Sequence, residues 1–89
     1  MIRIWARTVA DEKITRSYIY ESIDNFEEDK LYLHLERICH ELDIPTPVIL
    51  KSHIKNYVDF NNSVFLARDF VESIDFEKFI IENAAISKW

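Results

Sequence analysis

Eighty-nine residues, 48% hydrophobic and 30% charged, suffice for one domain with its own core (residues 1–89) and are too few for two. The net charge of −5 disfavours indiscriminate binding to polyanions, and the single cysteine, Cys39, excludes a disulfide framework and a multi-cysteine zinc site. No apolar run approaches the roughly 20 residues of a membrane-spanning helix. The alternating start Met1-Ile2-Arg3-Ile4-Trp5-Ala6-Arg7 does not read as a secretion signal; a soluble cytoplasmic protein without membrane contact is expected.

Residues 2–9 and 14–21 are expected to form a hairpin. Ile2-Arg3-Ile4-Trp5-Ala6-Arg7 alternates, and Ile14-Thr15-Arg16-Ser17-Tyr18-Ile19-Tyr20 is dominated by β-branched and aromatic residues. Asp11-Glu12 stands at the turn, although glutamate tolerates positive φ poorly and leaves the turn type open. Asp24 with Glu27, or Asn25 with Glu28, has capping-box spacing. Leu31, Leu35, Ile38, Cys39 and Leu42 then recur at helical spacing, which predicts an amphipathic helix over 26–42.

Pro45 and Pro47 divide that helix from the next. Thr46 is the expected N-cap and Pro47 the first helical residue of a helix over 47–60, with Leu42, Ile44 and Leu50 meeting between the two helices. Asn61-Asn62 is the stop; in a chain with no glycine, Asn and Asp must supply most of the left-handed backbone angles. Val64-Phe65-Leu66-Ala67 reads as a third strand and Arg68–Val71 as extended or turning. A last helix is expected over about 76–86, capped by Asp75, stapled by Ile74 and Phe79, and burying Phe76, Phe79, Ile80 and Ala84. The expected fold is α+β in the order ββααβα, a small antiparallel sheet of about three strands with three helices on one face.

Four constellations carry possible function. The helical pair around Ile38–Leu50 resembles a helix-turn-helix. However, Asp43 stands at the usual glycine place, two prolines stiffen the turn, and Lys51, His53 and Lys55 against Asp59 are few cations for phosphate contact. A plain packed pair is the preferred reading.

The hairpin offers more. Arg3, Trp5 and Arg7 share one strand side. A two-residue loop would pair Trp5 with Tyr18, Arg7 with Arg16 and Arg3 with Tyr20, giving one face of three arginines and three aromatics. A register shifted by one would send Tyr18 and Tyr20 to the core. Such a face suits protein contact, or self-association, better than nucleic acid in an acidic chain. With Ile2, Ile4 and Ala6 turned to the helices, Trp5 should stay partly accessible.

His34, His40, His53 and Cys39 match no metal signature, and Cys39 lies on an apolar stripe where a thiol is usually buried and inert. The acids Glu21, Asp24, Glu27, Glu28 and Asp29 read as solvated charges and caps. No catalytic residue, cofactor or metal is expected.

Cys39-His40-Glu41-Leu42-Asp43-Ile44-Pro45-Thr46-Pro47-Val48, His53-Ile54-Lys55-Asn56-Tyr57 and Arg68-Asp69-Phe70-Val71-Glu72 resemble a family of short bacterial proteins of unknown function. The resemblance implies a free-standing bacterial cytoplasmic protein and brings no activity or site residues. The functional expectation is a non-enzymatic protein-interaction domain. The alternative is a nucleic-acid-binding domain using the 26–60 helical pair or the hairpin face.

Overall fold

A computed structural model describes residues 1–85. Strand β1 (Ile2–Ala10) runs into β2 (Lys13–Ser22) through Asp11 and Glu12, both at positive φ (52° and 64°), as a two-residue hairpin turn of primed type requires. Helix α1 (Leu31–Leu42) and helix α2 (Lys51–Phe60) follow, then β3 (Asn62–Leu66) and β4 (Lys78–Asn83). The four strands form one antiparallel sheet in the order β2-β1-β4-β3.

Both helices cover the same sheet face. Ile2, Ile4, Ala6, Tyr20, Phe65, Phe79 and Ile81 point from the sheet into a core completed by Leu31, Leu35, Ile38, Cys39 and Leu42 of α1 and Tyr57 of α2. The α1 stripe is thus the one its periodicity predicts. Asn61 closes α2 in the left-handed region (φ 63°), its N–H bonding the Tyr57 carbonyl at 2.9 Å. Asp43 does the same for α1 (φ 56°).

The expectation of an antiparallel sheet with helices on one face holds, but the described residues form four strands and two helices where about three and three were expected. The helix over 76–86 is instead β4, its last expected residue, Ile86, lying outside the described residues. Phe79 and Ile81 point into the core and Ile80 points away, a period of two. Three consecutive apolar residues, Phe79-Ile80-Ile81, offer an inward side chain to either period. Tertiary context decides: β4 fills the place between β1 and β3, and without it both strands would present unpaired edges. Asp75 caps nothing and binds Arg16 through two hydrogen bonds of 3.0 and 3.3 Å; no Ile74–Phe79 helix staple forms.

Two helix starts also differ. Helix α1 begins at Leu31 after a 3-10 turn at Glu28–Lys30, with no side-chain cap from Asp24 or Asn25. Helix α2 begins at Lys51, not at Pro47, and Thr46 is exposed and caps nothing. Residues 43–50 run irregularly, with Ile44 and Pro47 buried. The Val48 N–H is held by the Asp69 carbonyl at 2.7 Å. Leu42 and Ile44 reach the core, but Leu50 stays about half exposed.

Candidate interaction surface

The sheet's second face carries no helix. It presents Arg3, Trp5, Arg7 and Val9 from β1, Ile14, Ser17, Ile19 and Glu21 from β2, Lys78, Ile80 and Glu82 from β4, and Asn62, Val64 and Leu66 from β3. Ile14, Ile19 and Val64 are 52%, 45% and 39% exposed.

Trp5 lies directly across from Ile19 on one side and Glu82 on the other. Its indole Nε1–H donates to Ser17 Oγ at 2.8 Å, and the Arg7 guanidinium carbon stands 3.8 Å above the ring. Arg7 Nη2 donates to Glu82 Oε1 at 3.4 Å, while its Nη1 is buried with no hydrogen-bond partner. Arg3 Nε is 3.9 Å from a Glu21 carboxylate oxygen, an exposed ion pair. The expectation for Trp5 is met: it is partly accessible, with Ile2, Ile4 and Ala6 on the covered side.

Only half of the predicted surface assembles. Arg3, Trp5 and Arg7 share the open face, but Arg16, Tyr18 and Tyr20 lie on the helix side. The turn has the expected two residues, yet a β-bulge intervenes: Thr8 faces Arg16 while Val9 faces Ile14, leaving Thr15 as the extra residue. Downstream of it the pairing is Ala6 with Tyr18, Trp5 with Ile19 and Ile4 with Tyr20. Thr8 is fully buried, and its hydroxyl lies 2.7 Å from that of Thr15, which donates to the Thr8 carbonyl at 3.3 Å.

On the helix side, the buried Tyr20 ends in a three-residue network. Arg37 Nη1 donates to the Tyr20 hydroxyl at 3.4 Å, and that hydroxyl shares a hydrogen bond with His34 Nδ1 at 2.6 Å. Desolvation and then the nearby Arg37 charge lower the His34 pKa. Sequence reasoning missed this network, although His34 stands on the α1 apolar stripe between Leu31 and Leu35 and could have been flagged. Beside it a groove of about 490 Å³ runs between β2 and α1, lined by Tyr18, Tyr20, Glu36, Arg37, His40 and Glu41.

The remaining chemistry-bearing residues are dispersed. Cys39 is fully buried and desolvation pushes its thiol up to about 12, against the smaller opposing effect of a Thr46 hydrogen bond. His53, counted in the sequence among the few cations of the second helix, is buried: its Nδ1 accepts the Leu50 N–H at 2.9 Å and its ring stacks on Phe65. Lys55 is paired with Asp59 at 2.8 Å. Among the described residues, no three His, Cys, Asp or Glu side chains converge as metal ligands. No protein-family model, curated protein or solved structure matches this chain.

Proposed function

We propose that this chain is a non-enzymatic protein-interaction domain that receives its partner on the helix-free face of the sheet. The observation supporting it is Trp5, held by Ser17 and Arg7 and directly across from the exposed Ile19, on a sheet face that carries no helix. An aromatic beside an arginine, with exposed aliphatics on the same face, is a composition in which interface binding energy concentrates.

Protein is favoured over nucleic acid for two reasons. A single-stranded platform needs several stacking rings and unpaired cations, whereas Tyr18 and Tyr20 belong to the other side and Arg3 and Arg7 each stand beside a carboxylate. The helical pair joins through an irregular segment in place of a tight turn, with His53 turned inward. The proposal extends to a bacterial cytoplasmic setting on the resemblance of the 38–72 segment; no helix among the described residues is long and apolar enough to cross a membrane.

Trp5→Ala in the full chain tests it. Partner binding should weaken about tenfold or more while the circular dichroism and urea midpoint change little. Unchanged binding would overturn the assignment to this face. Steeply salt-dependent binding to generic single-stranded nucleic acid would support the alternative.

A further inference from the structure

The ionic groups of the helix-free face are paired, with one exception. Arg3 stands beside Glu21 and Arg7 beside Glu82, each cation with a carboxylate from a neighbouring strand. Lys78 of β4 is exposed and has no ion-pair partner among the described residues. It lies directly across from Val9 on one side and Leu66 on the other. Ile80, two residues along the same strand, shares its face. All three of these aliphatic neighbours are half-buried. β4 lies inside the sheet, so a lysine here guards no open edge. In a chain of net charge −5, this face thus carries three cations against two carboxylates.

We infer that the partner received on this face is a protein surface that presents a carboxylate, an Asp or Glu side chain bordered by apolar ones, to Lys78. The inference rests on the proposed function and adds the chemistry of the partner to it. The occupant follows from what each class of partner can offer a lone ammonium group. A second copy docking by the same face brings another Lys78 and no unengaged carboxylate, since Glu21 and Glu82 each stand beside an arginine. Nucleic acid needs several free cations for its phosphates and finds one. A carboxylate from another protein completes the ion pair among aliphatic side chains that exclude water, where the attraction is stronger than in bulk solvent. A partner with Lys or Arg at that point meets an unpaired like charge, which gives specificity.

The spacing suits a protein partner. Trp5 lies across from Glu82, and Lys78 is four residues from Glu82 on the same side of β4. Trp5 and Lys78 are therefore separated by about 14 Å along and across the sheet. A standard interface of roughly 800 Å² per partner covers both points. So does an extended peptide of twelve residues, about 40 Å long.

The test offers the full chain a phage-displayed library of random twelve-residue peptides and measures the selected peptides by fluorescence anisotropy. The expected peptides combine Asp or Glu with Leu, Ile, Val or Phe. Lys78→Gln should weaken them about tenfold or more and flatten their salt dependence, with the urea midpoint unchanged. Lys78→Glu should select peptides bearing Lys or Arg in their place. Peptides lost on Trp5→Ala yet indifferent to Lys78→Gln overturn the inference and keep the face. Peptides that need Lys78 but not Trp5 keep the carboxylate seat and overturn Trp5 as the anchor. A library that yields no peptide sensitive to either substitution overturns both readings. A dimer in sedimentation equilibrium that tightens on Lys78→Gln, or a generic single-stranded oligonucleotide that displaces the peptides, overturns the inference in favour of a second copy or of phosphate.

Discussion

His34 is a basic residue in an apolar place, 4% exposed on the inner side of α1, with the Tyr20 hydroxyl as its hydrogen-bond partner and Arg37 beyond. Its pKa is lowered from an ordinary 6.5, first by desolvation and then by the Arg37 charge. The unfolded chain takes up a proton near its ordinary pKa while the folded protein still refuses it, so below that point the unfolded state binds more protons. Stability contributed by neutral His34 is therefore complete above about pH 6.5 and declines as pH falls. We predict a urea midpoint that drops between pH 7.5 and pH 5, with a shallower drop in His34→Gln, which keeps a hydrogen-bonding side chain beside Tyr20. Equal slopes in the two proteins would remove His34 as the cause. Cys39, by contrast, has no such leverage: buried and held as a thiol, it acts through packing alone.

Among the elements, the start of α2 shows how a side chain can replace an expected cap. Leu50 has no capping group of its own, and His53 reaches back from the first turn to accept its N–H. The same ring stacks on Phe65 at 4.2 Å between centroids and places Nε2 3.4 Å from Asp69, which in turn accepts the Leu66 N–H. One histidine thus ties α2, β3 and the following turn together. We predict that His53→Ala costs about 2–3 kcal/mol, as loss of a cap and a buried stack together. Thr46→Ala, at an exposed position whose hydroxyl meets only the Cys39 thiol, should change stability by no more than about 0.5 kcal/mol. Chemical denaturation of the two variants in parallel checks both values; equal losses would restore Thr46 as a cap.

For the molecule as a whole, the sheet closes through its last strand. β4 pairs with β1 and β3 at once, matching Ile4 with Asn83 and Val64 with Ile80. The first and last described strands are therefore neighbours in the centre of the sheet, a closure of long sequence range. Phe79 is fully buried, opposite both Thr8 and Phe65. Phe79→Ala should cost about 3–5 kcal/mol, a large part of the stability of a domain this size. Loss of both hairpin and helix signals in one transition, followed by amide protection and circular dichroism, would match that role. A native-like β1–β2 hairpin surviving in the variant would contradict it.

The limits of sequence reading follow from the range of the forces involved. The alternation of β1, the stripe of α1 and the asparagine stop of α2 are local: each arises from side chains a few residues apart meeting one face, so composition and spacing suffice to find them. The identity of 78–83 is not local. Phe79, Ile80 and Ile81 serve a helix or a strand equally well until β1 and β3 offer it two open edges. The interaction surface divides along the same line. Arg3, Trp5 and Arg7 share a side because a single strand alternates. The partners across from them depend on one extra residue, Thr15, at the β-bulge. A bulge belongs to the pair of strands and not to either one alone, and this one turns Tyr18 and Tyr20 inward toward α1.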